Sequence, residues 1–202
     1  MNEGAKDEIL ARIRTALDDR PAPEPINRDY RQAGSRAVDV EQFTDRLIDY
    51  KATVHRYAGA DVAAKLTEIL AGRDRLRIAV PDGFPDEWLP EAELLREPLS
   101  VTELNEADGV LTTCAVGIAE TGTIVLDAGP GQGRRALSLV PDYHLLVVRT
   151  SQVVAIVPDA VALLNPARPL TWISGPSATS DIELKRVEGV HGPRTLDILL
   201  LN

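Results

Sequence analysis

The chain has 202 residues and a formal net charge of −9 at pH 7, and its length predicts one domain, or one domain with an N-terminal extension. Hydrophobic residues make up 44% of it and charged residues 26%, so the chain can bury a core, built mainly from Leu, Val, Ile and Ala because aromatic residues are scarce. The single cysteine, Cys114, excludes an internal disulfide and any cysteine-built zinc or iron–sulfur site within one chain. We therefore expect no cofactor, and the sequence supports a metal site only poorly.

Charge and hydropathy also limit the partners of the chain. No apolar run approaches the ~20 residues of a membrane span and no basic apolar leader is present, so we expect a cytoplasmic protein. Residues 81–108 carry nine acidic groups against one basic group, Arg96. The simplest interpretation of this acidic segment is a solvated connection, and the alternative is a docking face for a basic partner. No basic stripe exists, so we expect no nucleic acid partner.

The first half of the chain alternates helices with strands. Apolar residues at helical spacing predict an amphipathic helix over residues 5–18, which must dock on its own domain or, as we favour, on a partner or second subunit. Three prolines then predict an extended linker over residues 19–34. The next predicted elements are, in chain order, a helix over 38–50 capped by Asp39, a strand over 53–57, a helix from Asp61 to Gly72, and a strand over 76–80.

The second half contains mostly strands, and the whole pattern predicts the fold class. The predicted strands cover 109–114, 122–127, 144–149, 153–157, 170–173 and 196–201, and a short helix begins at Pro158. The alternation predicts a three-layer α/β fold with a mostly parallel sheet and an N-terminal helical extension. We divide the chain into an N-terminal helix and linker over 1–37 and an α/β domain over 38–202.

The first candidate cluster lies over residues 117–123, with the sequence Gly-Ile-Ala-Glu-Thr-Gly-Thr. Glu120 stands between apolar strand residues and a tight turn, where a partly buried carboxylate could act as a base or nucleophile. The alternative, which we favour, is a hairpin in which Glu120 and Thr121 bond to local amides. A single carboxylate does not identify a reaction class.

The second candidate cluster is the glycine loop, which we define as residues 129–135. Its glycines, Gly131 and Gly133 among them, could let backbone amides converge on an anion, and Arg134 and Arg135 supply forked donors that suit phosphate or carboxylate. The loop matches neither the Walker A motif nor the dinucleotide fingerprint. The alternative is a mobile surface loop, and anion binding is slightly favoured.

The third candidate cluster follows a predicted strand, over residues 171–193. Hydroxyls include Ser174 and Ser177, and Ser180 with Glu183 fits a helix capping box. His191 could serve as a general base or metal ligand, oriented by Asp181 or Glu183, although a histidine between glycines is often only a structural hydrogen-bonding group. The other histidines, His55 and His144, lie in or near apolar strands and are predicted to be packed residues.

Several of these motifs resemble those of the LUD-domain family. They lie at residues 120–123 (Glu-Thr-Gly-Thr), 138–141 (Ser-Leu-Val-Pro), 173–183 and 189–193. The last two together are specific, whereas the first alone would be weak. The resemblance covers roughly residues 43–201 and implies the NagB/RpiA/CoA-transferase-like α/β fold.

The resemblance also implies a function. The namesake proteins of the family belong to a bacterial operon that oxidises L-lactate to pyruvate, beside iron–sulfur partner subunits. One cysteine cannot ligate a four-iron cluster. The resemblance therefore implies an accessory, non-redox component that acts with iron–sulfur lactate-oxidation subunits, and it names no catalytic residue for this branch. The oligomeric state stays open, a homo-oligomer included.

Two enzymatic alternatives share this fold. The first is a CoA-transferase-like or sugar-phosphate enzyme, since Glu120 followed by Gly122 is loosely similar to the nucleophile region of CoA transferases. The second is a folate-type cyclo-ligase, which the glycine loop resembles only distantly. For any of these functions we expect Glu120, His191 and Asp181 as catalytic candidates. An organic anion would be held by Thr121, Thr123, Gly131, Gly133, Arg134, Arg135, Ser174, Gly175 and Ser177. The three clusters are predicted to face one crevice.

Overall fold

The structure is a computed structural model that describes residues 3–17, 25–73, 77–179, 187–188 and 192–202. The chain forms two compact units, Met1–Tyr30 and Arg31–Asn202. The first unit contains a helix whose apolar residues Ile9 and Ile13 are exposed, as is Leu17, which directly follows it. The predicted domain boundary at 37/38 stays a prediction.

The described helices and strands follow the predicted alternation and add elements to it. The helices are α1 (Glu3–Ala16), α2 (Val40–Asp49), α3 (Val62–Ala71), α4 (Val101–Glu106) and α5 (Val157–Leu163). The strands are β1 (Thr53–Tyr57), β2 (Arg77–Val80), β3 (Glu93–Arg96), β4 (Gly109–Thr112), β5 (Val116–Ile118), β6 (Thr123–Leu126), β7 (Tyr143–Arg149), β8 (Val153–Val154), β9 (Thr171–Ile173), β10 (Ala178–Thr179), β11 (Val187–Glu188) and β12 (Thr195–Leu201). No helix in these described ranges is long and apolar enough to cross a bilayer.

The helix caps follow the sequence rules. Asp39 precedes α2 and accepts a hydrogen bond from the Gln42 amide (3.0 Å), and Asp61 precedes α3 and accepts one from the Ala64 amide (2.9 Å). Each carboxylate satisfies an amide that the first turn of a helix leaves without a partner. These two helices are thus fixed in place by the residues that predicted them.

Six strands form one fully parallel sheet in the order β1-β12-β7-β4-β2-β3. Alternate residues of its central strands face opposite sides. Leu145 and Val147 of β7 pack with α3 on one side, and Leu146 and Val148 pack with α2 and residues of a second sheet on the other. The predicted α/β class with a mostly parallel sheet is confirmed.

The second sheet was not predicted as a separate layer. Its order is β8-β5-β6-β9, and only the β5–β8 pair is parallel. The strands predicted over 122–127 and 170–173 belong to this second sheet and not to the parallel sheet. The sequence could not assign them, because a short apolar run has the same pattern in either sheet. The strand predicted over 153–157 stops at Val154, and α5 begins at Val157 with Pro158 in its first turn.

The acidic segment is more structured than predicted. It contributes edge strand β3 to the parallel sheet and also forms α4, which begins with a capping box between Ser100 and Glu103. Leu104 of α4 is fully buried, whereas acidic side chains such as Glu91 and Glu93 are exposed. The segment is therefore part of the fold that presents its charge outward, and the interpretation as a mere connection is wrong.

The order of the parallel strands creates a topological switch point between β2 and β4. After β2 the chain continues to β3 on one side, whereas after β4 the next strand of this sheet is β7 on the other side. In open parallel sheets, ligands bind outside the carboxyl ends of the strands at such a point. The topology therefore predicts a ligand-binding site at the carboxyl ends of β2 and β4.

Candidate functional site

A crevice lies outside the carboxyl ends of β2 and β3, at the edge of the sheet where the switch point lies, and we call it the switch-point crevice. Its volume is about 420 Å³. The walls come from Asp82 and Gly83 after β2, from Glu97 after β3, and from five residues in and beside the glycine loop: Ala128, Gly129, Pro130, Gly133 and Arg134. The volume and position are those of a small-molecule site.

The backbone of the glycine loop is bonded to the strand ends. The Gly131 amide donates to the Asp82 carbonyl (2.8 Å), and the Gly131 carbonyl accepts from the Thr113 amide (2.7 Å). Gly131 has φ +74°, and a Cβ there would lie 2.7 Å from Thr113 Oγ1. Only glycine fits this close approach without strain.

Several amides of this loop already have acceptors. Besides Gly131, the Gly129 amide donates to Asp127 Oδ1 (3.1 Å) and the Gln132 amide to the Gly129 carbonyl (3.1 Å). An anion-binding nest needs amides that point at the ligand without an internal acceptor. These three amides therefore do not form such a nest.

The two arginines after the glycines differ in their surroundings. Arg134 Nε donates to Glu97 Oε1 (2.9 Å), its terminal nitrogen donates to the Leu99 carbonyl, and the Glu97 side chain is only 11% exposed. Arg135 is exposed and has no ion-pair partner within the described ranges. The charge of Arg134 is thus neutralised inside the switch-point crevice. The anion-binding role of Gly131, Gly133, Arg134 and Arg135 stays a prediction.

Glu120 is held by two arginines from the segment predicted as a linker. Arg31 donates to both carboxylate oxygens (2.6 and 2.9 Å), and Arg36 donates to Oε1 (3.2 Å). The hydrogen bond from Arg31 holds the pKa of Glu120 below its ordinary value, burial opposes this shift, and the charges of both arginines support it. A general base for neutral pH needs a raised carboxylate pKa. In this geometry the Glu120 carboxylate pairs with Arg31 and Arg36, which is a structural role. Its catalytic role stays a prediction.

Residues 31–36 form a strap, which we call the arginine strap. Besides the two arginines, the Gly34 amide donates to Asp159 Oδ1 (2.6 Å) in the first turn of α5. Arg31 and Glu120 are 89 residues apart, and no spacing rule connects them. The sequence analysis missed both arginines, and the only signal for them was the arginine-rich end of a linker otherwise marked by proline.

A chain of three hydroxyls joins the first cluster to the start of the third. Thr121 Oγ1 lies 2.7 Å from Thr123 Oγ1, which lies 2.8 Å from Ser174 Oγ. Thr123 is buried at the start of β6, and Ser174 follows β9, the strand antiparallel to it. The predicted proximity of these residues is therefore real, and their hydroxyls bond to one another.

Two glycines of these turns pack against α2. A Cβ on Gly122 (φ +60°) would lie 2.5 Å from Arg46 Cβ. On Gly175 (φ +87°) it would lie 2.8 Å from Tyr50 Cβ and closer still to the Tyr50 carbonyl oxygen. Both turns depend on a residue without a side chain. Together the two turns form the surface on which α2 and Tyr50, the residue that follows it, pack.

The structure does not bring the three clusters to one crevice. Thr123 begins β6 and Leu126 ends it, so the Glu120 turn and the glycine loop lie at opposite ends of a strand that is about 10 Å long. The Ser177 amide donates to the Pro193 carbonyl (2.8 Å). The single-crevice prediction is wrong for these residues. Asp181, Glu183 and His191 lie outside the described residues.

A second crevice, which we call the Arg149 crevice, lies outside the carboxyl ends of β1, β12 and β7. Its volume is about 250 Å³, and its lining includes Arg149, Thr150 and Ser151. The guanidinium of Arg149 stacks over the ring of Trp88, 4.4 Å from its centroid. The sequence analysis missed this crevice, because it joins strand ends to a tryptophan from the acidic segment.

The remaining chemically active groups are structural. Asp197 is fully buried and accepts from Arg73 Nε (3.1 Å), Arg73 Nη2 (2.9 Å) and Tyr143 Oη (3.1 Å), and His55 Nε2 lies 3.4 Å away. Burial alone would raise its pKa, but the bonds from His55 and Arg73 outweigh burial and lower it. Burial raises the pKa of the Cys114 thiol to about 12. These groups stabilise the core.

His144 is a core residue, bonded to the neighbouring strand β4. His144 is buried as predicted, burial lowers its pKa to about 3, and its Nε2 lies 2.7 Å from Thr112 Oγ1. Within the part of the chain that the structure describes, no three metal-binding side chains of the His, Cys, Asp or Glu type converge.

The model of the LUD domain matches residues 40–201. The chain belongs to the LUD domain family. Lactate utilization protein C of Deinococcus radiodurans is 48% identical over 92% of this chain and 86% of that protein. An uncharacterized protein of Neisseria meningitidis serogroup B is 29% identical over 98% of this chain and 93% of that protein.

A solved structure is also similar to this LUD domain chain. The crystal structure of a DUF162 family protein from Deinococcus radiodurans matches with a TM-score of 0.69 and 42% identity, over 81% of this chain and 96% of that chain. The LUD-like motifs at 120–123 and 173–175 are the turns that carry the hydroxyl chain and pack against α2. In this LUD domain they support the architecture directly.

Proposed function

We propose that the chain is an accessory, non-redox component of a bacterial system that oxidises L-lactate to pyruvate. The observation that carries this proposal is the 48% identity to lactate utilization protein C over 92% of the chain. That match spans both compact units and nearly the whole of the relative, so it includes more than a shared domain.

The chemistry of the chain supports an accessory role. Oxidation of lactate removes two electrons, and a protein that accepts them needs a redox group such as a flavin or an iron–sulfur cluster. Cys114 is the single cysteine of the chain, and burial raises its thiol pKa to about 12, so it supplies no accessible cluster ligand. The electrons would then pass through iron–sulfur partner subunits, which this chain would assist by binding to them.

Growth of the native host tests this role. We expect a strain that lacks the gene to fail on L-lactate as sole carbon source but to grow normally on pyruvate, and the restored gene to reverse the defect. Pyruvate is the matched control because it is the product of the reaction, so the two cultures differ only in the oxidation step. Unimpaired growth of the deletion strain on L-lactate would contradict the proposal.

The partner claim has its own experiment. The tagged chain, produced at its native level, should co-purify with iron–sulfur subunits from cells grown on L-lactate and lysed without oxygen. The iron and sulfide content of the eluate and the identity of its proteins are the readouts. Recovery of the chain alone under gentle conditions would count against these partners while leaving the growth result standing.

A second candidate function is a small-molecule-binding enzyme of the same fold, and the switch-point crevice favours it. The crevice lies at the edge where open parallel sheets bind ligands and has a volume of about 420 Å³. Fold alone does not assign a reaction. Thermal-shift measurements with acyl-CoA esters, sugar phosphates and reduced folates test this candidate, since a ligand of the folded state raises the melting temperature. The absence of any shift would remove it.

A further inference from the structure

Arg149 is a preorganised cation at the carboxyl end of β7. The Cζ atom of its guanidinium lies over the ring of Trp88, 4.4 Å from the ring centroid, and this ring is in edge contact with Phe84 at a centroid distance of 6.3 Å. Stacking uses the face of the guanidinium and leaves the N–H groups along its edge available to an acceptor. Trp88 therefore restricts the orientation of Arg149 without consuming its hydrogen-bond donors.

The charge of Arg149 has no counterion in the described ranges. No carboxylate there lies within ion-pair distance of its guanidinium, whereas Arg134 is paired with Glu97 at 2.9 Å. Arg149 is also the only acidic or basic side chain among the described residues that line its crevice, which also include Asn202, the last residue of the sequence. The switch-point crevice, with Asp82 and Glu97 against Arg134, carries a net negative charge.

Polar and apolar groups of this crevice narrow the class of ligand. The hydroxyls of Thr150 and Ser151 follow Arg149 directly in the chain, and Val62 and Leu201 are apolar residues of the same lining. One guanidinium matches one carboxylate in a bidentate arrangement, whereas a phosphate dianion is usually held by several cations or amides. A volume of about 250 Å³ is below the range of about 300–1,000 Å³ for drug-sized ligands.

From this arrangement we infer that the Arg149 crevice binds a small monocarboxylate. The carboxylate bonds to the edge of the Arg149 guanidinium, the hydroxyls of Thr150 and Ser151 bond to its polar substituents, and a short carbon chain lies toward Leu201. This site differs from the glycine loop, where the sequence predicted the anion. It goes beyond the proposed function and does not depend on it.

Tryptophan fluorescence tests this inference, because Trp88 and Trp172 are the two tryptophans of the chain. In Trp172→Phe, Trp88 is the only tryptophan left, and it stacks on Arg149. We expect sodium L-lactate, pyruvate and acetate to change its fluorescence saturably at concentrations up to about 50 mM, since weak carboxylate sites have millimolar dissociation constants. Sodium chloride at equal ionic strength controls for screening.

Two further substitutions in this background assign the site. Arg149→Gln should weaken binding at least about tenfold, since a charge-assisted hydrogen bond contributes about that factor or more. Arg14→Gln, which removes an exposed arginine that lies outside every predicted anion site, should leave binding unchanged. If Arg149→Gln does not fold, Arg149→Lys decides, because it keeps the charge, loses the planar fork and should bind several-fold more weakly.

Three results would overturn the inference. One is the absence of a saturable change with every carboxylate tested. Another is equal weakening by the substitutions at positions 149 and 14, which would indicate general electrostatic attraction. The third is tighter binding of inorganic phosphate than of any carboxylate, which would contradict the ligand class.

Discussion

Replacement of Gly175 by alanine should strongly destabilise the domain. Gly175 has φ +87°, and its added Cβ would lie 2.8 Å from Tyr50 Cβ and closer still to the Tyr50 carbonyl oxygen. The left-handed backbone costs about 1–2 kcal/mol for a residue with a Cβ, and overpacking adds about 1–3 kcal/mol. We therefore expect the free energy of unfolding to fall by about 2–5 kcal/mol, a large part of the ~5–15 kcal/mol typical of a domain.

Two other glycines separate the contributions to this loss. Gly34 has a similar φ of +75° with nothing within 4 Å of an added Cβ, so Gly34→Ala should cost only the backbone term of about 1–2 kcal/mol. Gly72 ends α3 with φ −65°, which alanine adopts freely, so Gly72→Ala should be neutral or stabilise by up to about 1 kcal/mol.

Urea unfolding followed by far-ultraviolet circular dichroism measures all three variants. Unchanged m-values would show that the loss lies in the folded state. The expected order of stability is Gly72→Ala, then Gly34→Ala, then Gly175→Ala. Equal losses for Gly175→Ala and Gly34→Ala would refute the close packing of the Ser174–Gly175 turn on α2.

Three further predictions concern ionisable groups and the thiol. Glu120→Gln should lower lactate-oxidation activity in reconstituted extracts by less than about tenfold, and a loss of 10²–10⁴-fold, typical of a lost acid–base catalyst, would contradict the structural role. The pKa of Asp197 is lower in the folded than in the unfolded protein, so its carboxylate stabilises the fold above the unfolded-state pKa. We expect this stabilisation to be lost as the pH falls below about 4. Asp197→Asn should cost about 3 kcal/mol at neutral pH, at the lower end for a broken buried pair because Arg73 is 38% exposed, and should flatten that acid limb in pH-dependent urea unfolding. Cys114 should react with a thiol reagent at pH 8 only after urea is added, whereas rapid labelling of the native protein would contradict its burial.

Local rules predicted the elements whose signals are local. The caps Asp39 and Asp61 and the stop at Gly72 lie at the ends of α2 and α3, and β1 covers the predicted residues. The caps and the stop depend on hydrogen bonds within a few residues, and sequence patterns report those bonds well. Strand β1 pairs with the distant β12, but its run of strand-favouring residues is itself a local signal.

The acidic segment shows where such rules failed. Its high charge obscured β3 and α4, although Ser100 and Glu103 form the capping box that the sequence spells out. Exposed carboxylates dominate the composition of the segment, while Leu94 and Leu95 of β3 and Leu104 of α4 pack in the core. The average polarity of the segment therefore did not predict its structure, whereas the capping box and the positions of its leucines would have done so.

The sites depended on contacts that no local pattern encodes. The clamp on Glu120 joins it to Arg31 across 89 residues, and the Arg149 crevice joins three strand ends to Trp88. The glycine loop was predicted as an anion-binding loop or a mobile surface loop, and in the structure the backbone of Gly131 bonds to residues at strand ends. The sequence identified Gly122, Gly131 and Gly175 as members of candidate sites. In the structure these glycines make close contacts that stabilise the fold.

L-Lactate-dependent reduction of an artificial electron acceptor, measured in oxygen-free extracts of the deletion strain, decides whether the chain takes part in lactate oxidation. The account predicts no activity in the extract alone, none with the purified chain alone, and restored activity when the two are combined. Full activity in the unsupplemented extract would contradict the proposed role, and activity of the purified chain alone would contradict its accessory character.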